Sequence, residues 1–256
     1  MWIDTHTHLW DEQFNDDRHE ILASLGKELK YIIDIGVNTA TSEQAVSLAY
    51  QNERVFAVVG VHPHDSKELN NQVFERIREL SKMDRVVGIG EIGLDFYKNY
   101  STPEVQKGCF IRFLRYAIEV NLPIVLHIRD AYEKVIDILK TEGIPKAGGV
   151  VHSFLSTEHH ARQFIDLNLY LGIGGPITFK KNQDLRETIK KIPVENLIIE
   201  TDCPYLTPVP KRGQRNEPAF VQYVAQEISK IKKIPIIDLE ELLCENAADL
   251  FALPKC

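Results

Sequence analysis

Two histidines stand two residues apart near the start of the chain, at His6 and His8. They end a short apolar run typical of a β-strand, in which side chains two residues apart point to the same face. Neutral imidazole nitrogen is a common metal ligand, so the pair predicts a metal site at the end of a strand. Taken alone, the spacing is equally compatible with a solvated histidine pair at the mouth of a loop.

The rest of the chain repeats a pattern in which short β-rich apolar runs alternate with longer amphipathic stretches. We predict strands at residues 2–5, 31–35, 55–61, 86–92, 124–128, 149–152, 169–173 and 197–200. Predicted helices cover residues 16–26, 42–52, 70–81, 103–121, 131–142, 157–168 and 183–192, and two more follow at 218–230 and 237–251. This alternation predicts β-α units and a parallel sheet. Without a linker or low-complexity segment, it predicts an α/β fold, a single TIM (β/α)8 barrel domain over residues 1–256.

In barrels of this kind the catalytic groups lie at the C-terminal ends of the strands. Residues that can bind metal or exchange protons stand at most of the predicted strand ends: His6, His8, His62, His64, Glu91, His127, Arg129, His152, Glu200 and Asp202. A histidine at any one of these positions would ordinarily be a hydrogen-bonded core residue. Several histidines converging on one end of a barrel are poorly explained in that way.

These strand ends supply enough nitrogen and oxygen donors for two divalent cations. The expected partition is His6, His8 and Asp202 on one cation, and His127 and His152 on the other, with the Glu91 carboxylate bridging them. The prediction is therefore a dinuclear centre built from both halves of the barrel.

Residues 88–93 match the dinucleotide-binding pattern G-x-G-x-x-G. That motif must end a strand and begin a helix directly, whereas these glycines lie inside a strand pattern and are followed by loop residues. We therefore predict a false match, in which the glycines allow close backbone approach near a buried site.

Composition excludes several classes of protein. The formal net charge of −7 argues against a basic nucleic-acid-binding surface, although it does not exclude a local basic patch. No apolar run approaches the roughly 18 residues that would span a membrane. The first residues show no basic region followed by an apolar run, so we expect no secretory signal. The four cysteines (Cys109, Cys203, Cys244 and Cys256) are far apart, which favours a reducing, cytoplasmic environment. A monomer is compatible with all of these features.

Seven segments together resemble one known family. At residues 3–8, 60–64, 90–95, 122–127, 152–154, 200–205 and 215–218 the chain reads IDTHTH, GVHPH, GEIGLD, LPIVLH, HSF, ETDCPY and RNEP. This pattern resembles the TatD family of metal-dependent hydrolases, within the amidohydrolase superfamily of TIM barrels. The resemblance implies a divalent-metal nuclease, typically magnesium-dependent, that trims DNA and sometimes RNA from the 3′ end. It also implies that Glu91 replaces the carbamylated lysine that bridges the metals in many superfamily relatives.

Two-metal phosphodiester cleavage suggests roles for residues at the strand ends. Asp202 is the first candidate for the general base, since a carboxylate beside the metals can take a proton from water. Glu200, on the same strand face, could orient the water or protonate the leaving oxygen, and His62 could donate to a phosphate oxygen. For Glu200 and His62, an equal alternative is that they contact the metal ligands and hold them in position. Oxygen donors suit magnesium or manganese, and the histidines would also accept zinc.

Two other functions compete with the nuclease. The same ligands could serve hydrolysis at carbonyl carbon, for example of an ester, an amide or an aminoacyl-tRNA bond, and a metal-holding scaffold is the non-enzymatic alternative. Three residues after strand 8, Lys211, Arg212 and Arg215, are expected to form a positive rim for a nucleic-acid 3′ end. Tyr97, Tyr100 and Tyr205 offer faces for base stacking. Arg129 could hold a phosphate, or pair with Asp95 or Asp130.

Overall fold

The computed structural model describes residues 1–98 and 100–255, so Cys256 lies outside the described residues. All eight strands form one parallel sheet in chain order. They are β1 (Trp2–Thr7), β2 (Leu29–Ile35), β3 (Val55–Val59), β4 (Val86–Asp95), β5 (Ile124–Arg129), β6 (Gly149–Val151), β7 (Leu169–Ile173) and β8 (Leu197–Ile199). The predicted (β/α)8 barrel is confirmed. That residues 1–256 make up one domain stays a prediction.

Each strand is followed by at least one helix, and the last is followed by two. The helices are α1 (Arg18–Ser24), α2 (Thr39–Gln51), α3 (Asn71–Leu80), α4 (Pro103–Val120), α5 (Tyr132–Glu142), α6 (Glu158–Asp166), α7 (Gln183–Lys191), α8 (Val221–Lys232) and α9 (Ile236–Phe251). The α8 helix begins three residues later than predicted, because Pro218–Phe220 forms a separate 3₁₀ turn. Within the described ranges, no helix combines the length and apolar character that crossing a membrane requires.

The barrel closes between β1 and the segment that follows β8. Asp4, fully buried in β1, accepts hydrogen bonds from the backbone N–H of Thr201 at 2.9 Å and from its hydroxyl at 2.5 Å. Backbone bonds continue the closure, since Asp202 N–H donates to the carbonyl of His6 and His8 N–H donates to that of Cys203, both at 2.9 Å. The closure therefore places Asp202 beside the two histidines of β1.

The glycines of residues 88–93 lie inside β4, so the predicted false match to the dinucleotide motif is confirmed. Gly93 has φ of +142°, and a side chain there would meet the carbonyl oxygen of His127 at 2.1 Å. Only glycine permits this backbone to approach β5 so closely. The glycine thus brings the end of β4, which carries Glu91, against the end of β5, which carries His127.

The barrel interior below the candidate site is apolar. Val125, Val150 and Ile198 stand two residues before His127, His152 and Glu200, and alternation places each pair on the same face of its strand. These three residues pack in one buried cluster with Leu250 and Phe251 of α9. The last helix therefore closes the interior on which the polar strand ends rest, and this packing limits their movement.

Candidate metal centre

Glu91 lies at the centre of the candidate site, and its carboxylate is only 3% exposed. Its Oε1 lies 2.7 Å from His127 Nδ1, and its Oε2 lies 3.5 Å from His6 Nε2. His152 Nε2 approaches the same Oε1 at 3.9 Å. The structure thus brings histidines from β1, β5 and β6 to the two oxygens of one buried carboxylate.

Asp202 is a second carboxylate that lies beside His6 and His8. Its Oδ1 lies 3.3 Å from His8 Nε2, 3.9 Å from His6 Nε2 and 3.8 Å from His152 Nε2. The Nε2 atoms of His6 and His8 are themselves 3.3 Å apart, as expected for two side chains on one strand face. Every residue predicted as a ligand therefore lies in one cluster, in which only His127 and Asp202 are partly exposed among these ligands.

Hydrogen bonds to residues around the cluster determine which ring nitrogen of His8 and of His127 faces its interior. His8 Nδ1–H donates to the carbonyl of Ile35 at 3.0 Å, so its Nε2 carries the lone pair. His127 Nε2–H donates to Asp95 at 3.1 Å, which leaves Nδ1 toward Glu91. Hydrogen bonds of this type commonly orient histidines that ligate metals. In the neutral form that metal binding requires, both histidines therefore present a nitrogen lone pair to the interior of the site.

His62 has the opposite arrangement. It follows β3 and caps a 3₁₀ turn, and its Nδ1 accepts the backbone N–H of His64 at 3.1 Å. The proton of the neutral ring must therefore be on Nε2, which lies 3.8 Å from Glu91 Oε1. Burial, together with nearby His127, lowers the pKa of His62 well below its usual value, so the ring stays neutral. His62 thus presents a hydrogen-bond donor, not a lone pair, to the site.

The buried carboxylates require positive charge. Burial opposes ionisation of Glu91, yet His152 and His127 hold its pKa well below the usual value, and His152 and His8 likewise lower the pKa of Asp202. Conversely, burial opposes the charged form of His152, but Glu200, Glu91 and Asp202 together raise its pKa to about 10. Divalent cations supply such positive charge and prefer this set of nitrogen and oxygen donors. The residues present therefore fit the expected metal ions.

Donor atoms of the cluster fall into three overlapping groups, each lying within 4.8 Å. The groups are His6, His8 and Glu91; His6, His152 and Asp202; and His62, Glu91 and His127. His152 thus lies with His6, on whose ring it stacks at 3.5 Å, and not with His127. The expected sharing of one cation by His127 and His152 stays a prediction.

Glu200 lies behind His152 and does not reach the open side of the cluster. Its carboxylate is 1% exposed, and Oε1 accepts the backbone N–H of Ser153 at 2.7 Å. His152 Nδ1 is 2.9 Å from the same oxygen but lies off the axis of a good hydrogen bond. The other oxygen packs against Gly172, where a β-carbon would approach it to 2.4 Å. This position favours support of His152 over direct contact with water.

Asp95 is a site residue that the sequence analysis missed in this role. It is fully buried, and its Oδ2 contacts both His127 and His64, the latter at 2.9 Å. Of the alternatives for Arg129, pairing with Asp95 or Asp130 is not seen among the described residues, where Arg129 is exposed and its guanidinium stacks on Tyr97 at 3.7 Å. Asp95 stands four residues after Glu91 in β4, so strand alternation was the signal that could have identified it.

The predicted positive rim is only partly present. Arg215 donates to Asp17 at 2.5 and 2.7 Å and to Glu217 at 3.1 Å, and these carboxylates raise its pKa. It therefore ties the loop after β8 to the loop after β1, and its charge is already neutralised. Arg212 stacks on Phe179 at 4.3 Å, and Lys211 lies 5.4 Å from the ring of Phe220.

Cys203 is expected to be chemically inert, because it is fully buried. Its side chain is fully buried, and burial, with nearby Asp4, raises its pKa well above the usual value. Because the thiolate is the reactive form, iodoacetamide should leave Cys203 unmodified in the native protein and label it in denaturant. Mass spectrometry of the Cys203 peptide measures this directly. Native labelling that stopped turnover without unfolding the protein would contradict it.

This chain is similar to known proteins over most of its length. A family described as TatD related DNase matches residues 3–252. The chain is 39% identical to "Uncharacterized metal-dependent hydrolase YabD" of Bacillus subtilis, over 99% of this chain and all of the relative. It is 37% identical to "3'-5' ssDNA/RNA exonuclease TatD" of Escherichia coli, over 89% of this chain and 90% of the relative. The crystal structure of YJJV, a TatD homolog from Escherichia coli, superposes with a TM-score of 0.93 at 28% identity, covering 99% and 98% of the two chains.

Proposed function

This chain belongs to the TatD family of metal-dependent hydrolases, and from that premise we propose that it hydrolyses phosphodiester bonds of single-stranded DNA or RNA from the 3′ end. The observation that carries the proposal is the Glu91 carboxylate, whose two oxygens face histidines from different strands, His127 and His6. A carboxylate shared in this way suits a pair of divalent cations. The direction of cleavage and the nucleic-acid substrate follow the exonuclease named among the relatives.

When bound, two divalent cations would activate water and neutralise charge on the phosphate. His6, His8, Glu91, His127, His152 and Asp202 are the proposed ligands. The Asp202 side chain is 15% exposed and its carboxylate is ionised, so it can also take the proton that the attacking water loses. His62 holds a proton on Nε2 and can donate it as a hydrogen bond to a nonbridging phosphate oxygen. Each of these roles uses an atom that faces the same small space.

We assign Glu200 the role of a positioning residue that acts through His152. Replacing Gly172 by alanine should displace the Glu200 carboxylate, because the new methyl group would lie 2.4 Å from its Oε2. Metal affinity should then fall about 10–100-fold, the effect typical of losing such support. Competition with a chelator measures the affinity, and thermal unfolding shows that the variant is folded.

Gly108 in α4 provides the matched control, since a β-carbon there meets no atom within 4 Å. Gly108→Ala should bind metal like the wild type. Glu200→Gln, which keeps the size of the side chain, should weaken metal binding as Gly172→Ala does. Unchanged affinity in both site variants would show that Glu200 does not position His152.

The nuclease proposal is tested with single-stranded oligonucleotides labelled at either end, over a panel of magnesium, manganese and zinc. We expect mononucleotides to appear first from the 3′-labelled end and to disappear when a chelator is added. A substrate with an ester or amide bond in the same panel tests hydrolysis at carbonyl carbon. Rapid turnover of that substrate, with intact oligonucleotides, would overturn the nuclease proposal.

A further inference from the structure

A cavity of about 570 Å³ opens to one side of the candidate metal centre. Its floor is formed by His127, His152 and Asp202, and the rest of its lining comes from the segments after β5, β6, β7 and β8. Within residues 1–98 and 100–255, none of the lining residues comes from the segments after β1 to β4. The volume falls within the range of roughly 300–1,000 Å³ that sites for one small ligand occupy. The cavity is thus suited to one nucleotide and not to a duplex.

The lining of the cavity includes the apolar side chains of Leu155, Pro176, Phe179 and Leu206. Nucleobases stack or pack on such surfaces without regard to sequence, because every base has a flat apolar face. Several polar side chains of the lining are already bonded to the protein. Tyr132 Oη accepts the N–H of Leu155 at 3.2 Å, Tyr205 Oη donates to Asp11 at 2.9 Å, and Asn182 Nδ2 donates to Pro176 at 3.0 Å. Few fixed groups therefore remain to read the edge of a base.

Two positively charged side chains line this cavity. Arg129 lies two residues after His127, and Lys181 lies in the segment after β7. Throughout the described part of the chain, neither side chain takes part in an ion pair or a hydrogen bond with the protein. The Arg129 guanidinium stacks on the ring of Tyr97 at 3.7 Å. Both charges therefore remain available to an anion, in contrast with Arg215, which Asp17 and Glu217 neutralise.

Building on the nuclease function proposed above, we propose that this cavity holds the single terminal nucleotide of the chain. Its base packs against Phe179, Leu206 and Leu155, and its 5′-phosphate is held by Arg129 and Lys181 beside the metal ligands. Water adds to phosphorus, the bond to the 3′-oxygen of the preceding nucleotide breaks, and that oxygen takes a proton. The terminal nucleotide then leaves as a 5′-monophosphate. Recognition of the chain end thus depends on the size of the cavity and not on base identity.

Equilibrium binding of adenosine 5′-monophosphate and of inorganic phosphate, with and without magnesium, separates the two parts of the cavity. Lys181→Ala should weaken both ligands about tenfold or more, as expected for the loss of a charge-assisted contact. Leu155→Trp, at a side chain 48% exposed, should fill the base-binding part, so it should weaken the nucleotide but not the phosphate. Lys180→Ala is the matched control, because this exposed neighbour does not line the cavity and should leave both affinities unchanged.

Two further measurements test the recognition of the chain end. The four common nucleoside 5′-monophosphates should bind within about threefold of one another, as sequence-tolerant packing predicts. Circular single-stranded DNA, which has no end to place in the cavity, should resist hydrolysis while the linear form is degraded. A strong preference for one base, or equal cleavage of the circle, would contradict the proposal.

The outcomes distinguish this inference from the function on which it rests. If Lys181→Ala and Leu155→Trp bound the nucleotide as Lys180→Ala does, while the wild type still released mononucleotides, the cavity assignment would be wrong and the nuclease would stand. Absence of nucleotide binding to the folded wild type would equally overturn the assignment. If the wild type bound the nucleotide but hydrolysed no oligonucleotide with any metal, the proposed nuclease function would fail instead.

Discussion

Replacing Glu91 by glutamine is expected to remove metal and hydrolysis together. The substitution keeps the size of a side chain that is 3% exposed, but it removes the negative charge between His127 and His6. Several kcal/mol of transition-state stabilisation depend on bound metal, and each 1.4 kcal/mol is about tenfold, so turnover should fall at least about a thousandfold. Elemental analysis of the reconstituted protein gives the metal content, and a small chromogenic phosphodiester gives the turnover.

Glu53→Gln makes the same chemical change at an exposed position and should alter neither quantity. His127→Ala should act on one side only of the shared carboxylate, so it should remove less metal than Glu91→Gln does. Circular dichroism confirms that each variant is folded. Full metal content and full turnover in folded Glu91→Gln would show that this carboxylate does not bridge a metal pair.

Replacing Asp202 by asparagine is expected to slow turnover by about 10²–10⁴-fold, the usual contribution of a general base. Asp202 has φ of +60°, a left-handed conformation that asparagine adopts more readily than most residues, so the backbone should be preserved. Asparagine cannot take a proton from water at neutral pH, whereas the Asp202 carboxylate is ionised and lies 3.3 Å from His8 Nε2. Single-turnover measurements at saturating metal test the chemical step directly.

Asp84→Asn is the matched control for this substitution. Asp84 is exposed in the turn before β4, at the N-terminal ends of the strands, and it does not line the cavity. Its replacement should therefore change turnover by less than about threefold, as is usual for a surface charge. Asp202→Asn with wild-type turnover at saturating metal would exclude Asp202 as the base.

The fold and the candidate ligands could be predicted because both depend on local patterns. The period of the apolar residues distinguishes strands from helices, and the order of these elements predicts a parallel barrel. Parallel strands bring their C-terminal ends to one face, so His6, His8, Glu91, His127 and His152 were expected to converge without any knowledge of distances. In the structure their side chains lie in one cluster, and all but His127 are buried.

Contacts between distant loops could not be predicted in the same way. The sequence does not indicate that Asp17 neutralises Arg215, or that Asp95 contacts both His127 and His64. Each contact depends on how the loops lie once the barrel has closed, and loop paths have no periodicity that a sequence displays. The same holds for the side of the metal centre on which the cavity opens.

The chain by itself thus determined the barrel, the residues at its strand ends and their capacity to bind divalent metal. Only the tertiary structure decided which ring nitrogen carries a proton and which residue lies behind another. The backbone N–H of His64 fixes the proton of His62, and Gly172 leaves the space in which Glu200 lies behind His152. Residue type and spacing specify which side chains share a face, whereas protonation and orientation depend on neighbours that become close only after folding.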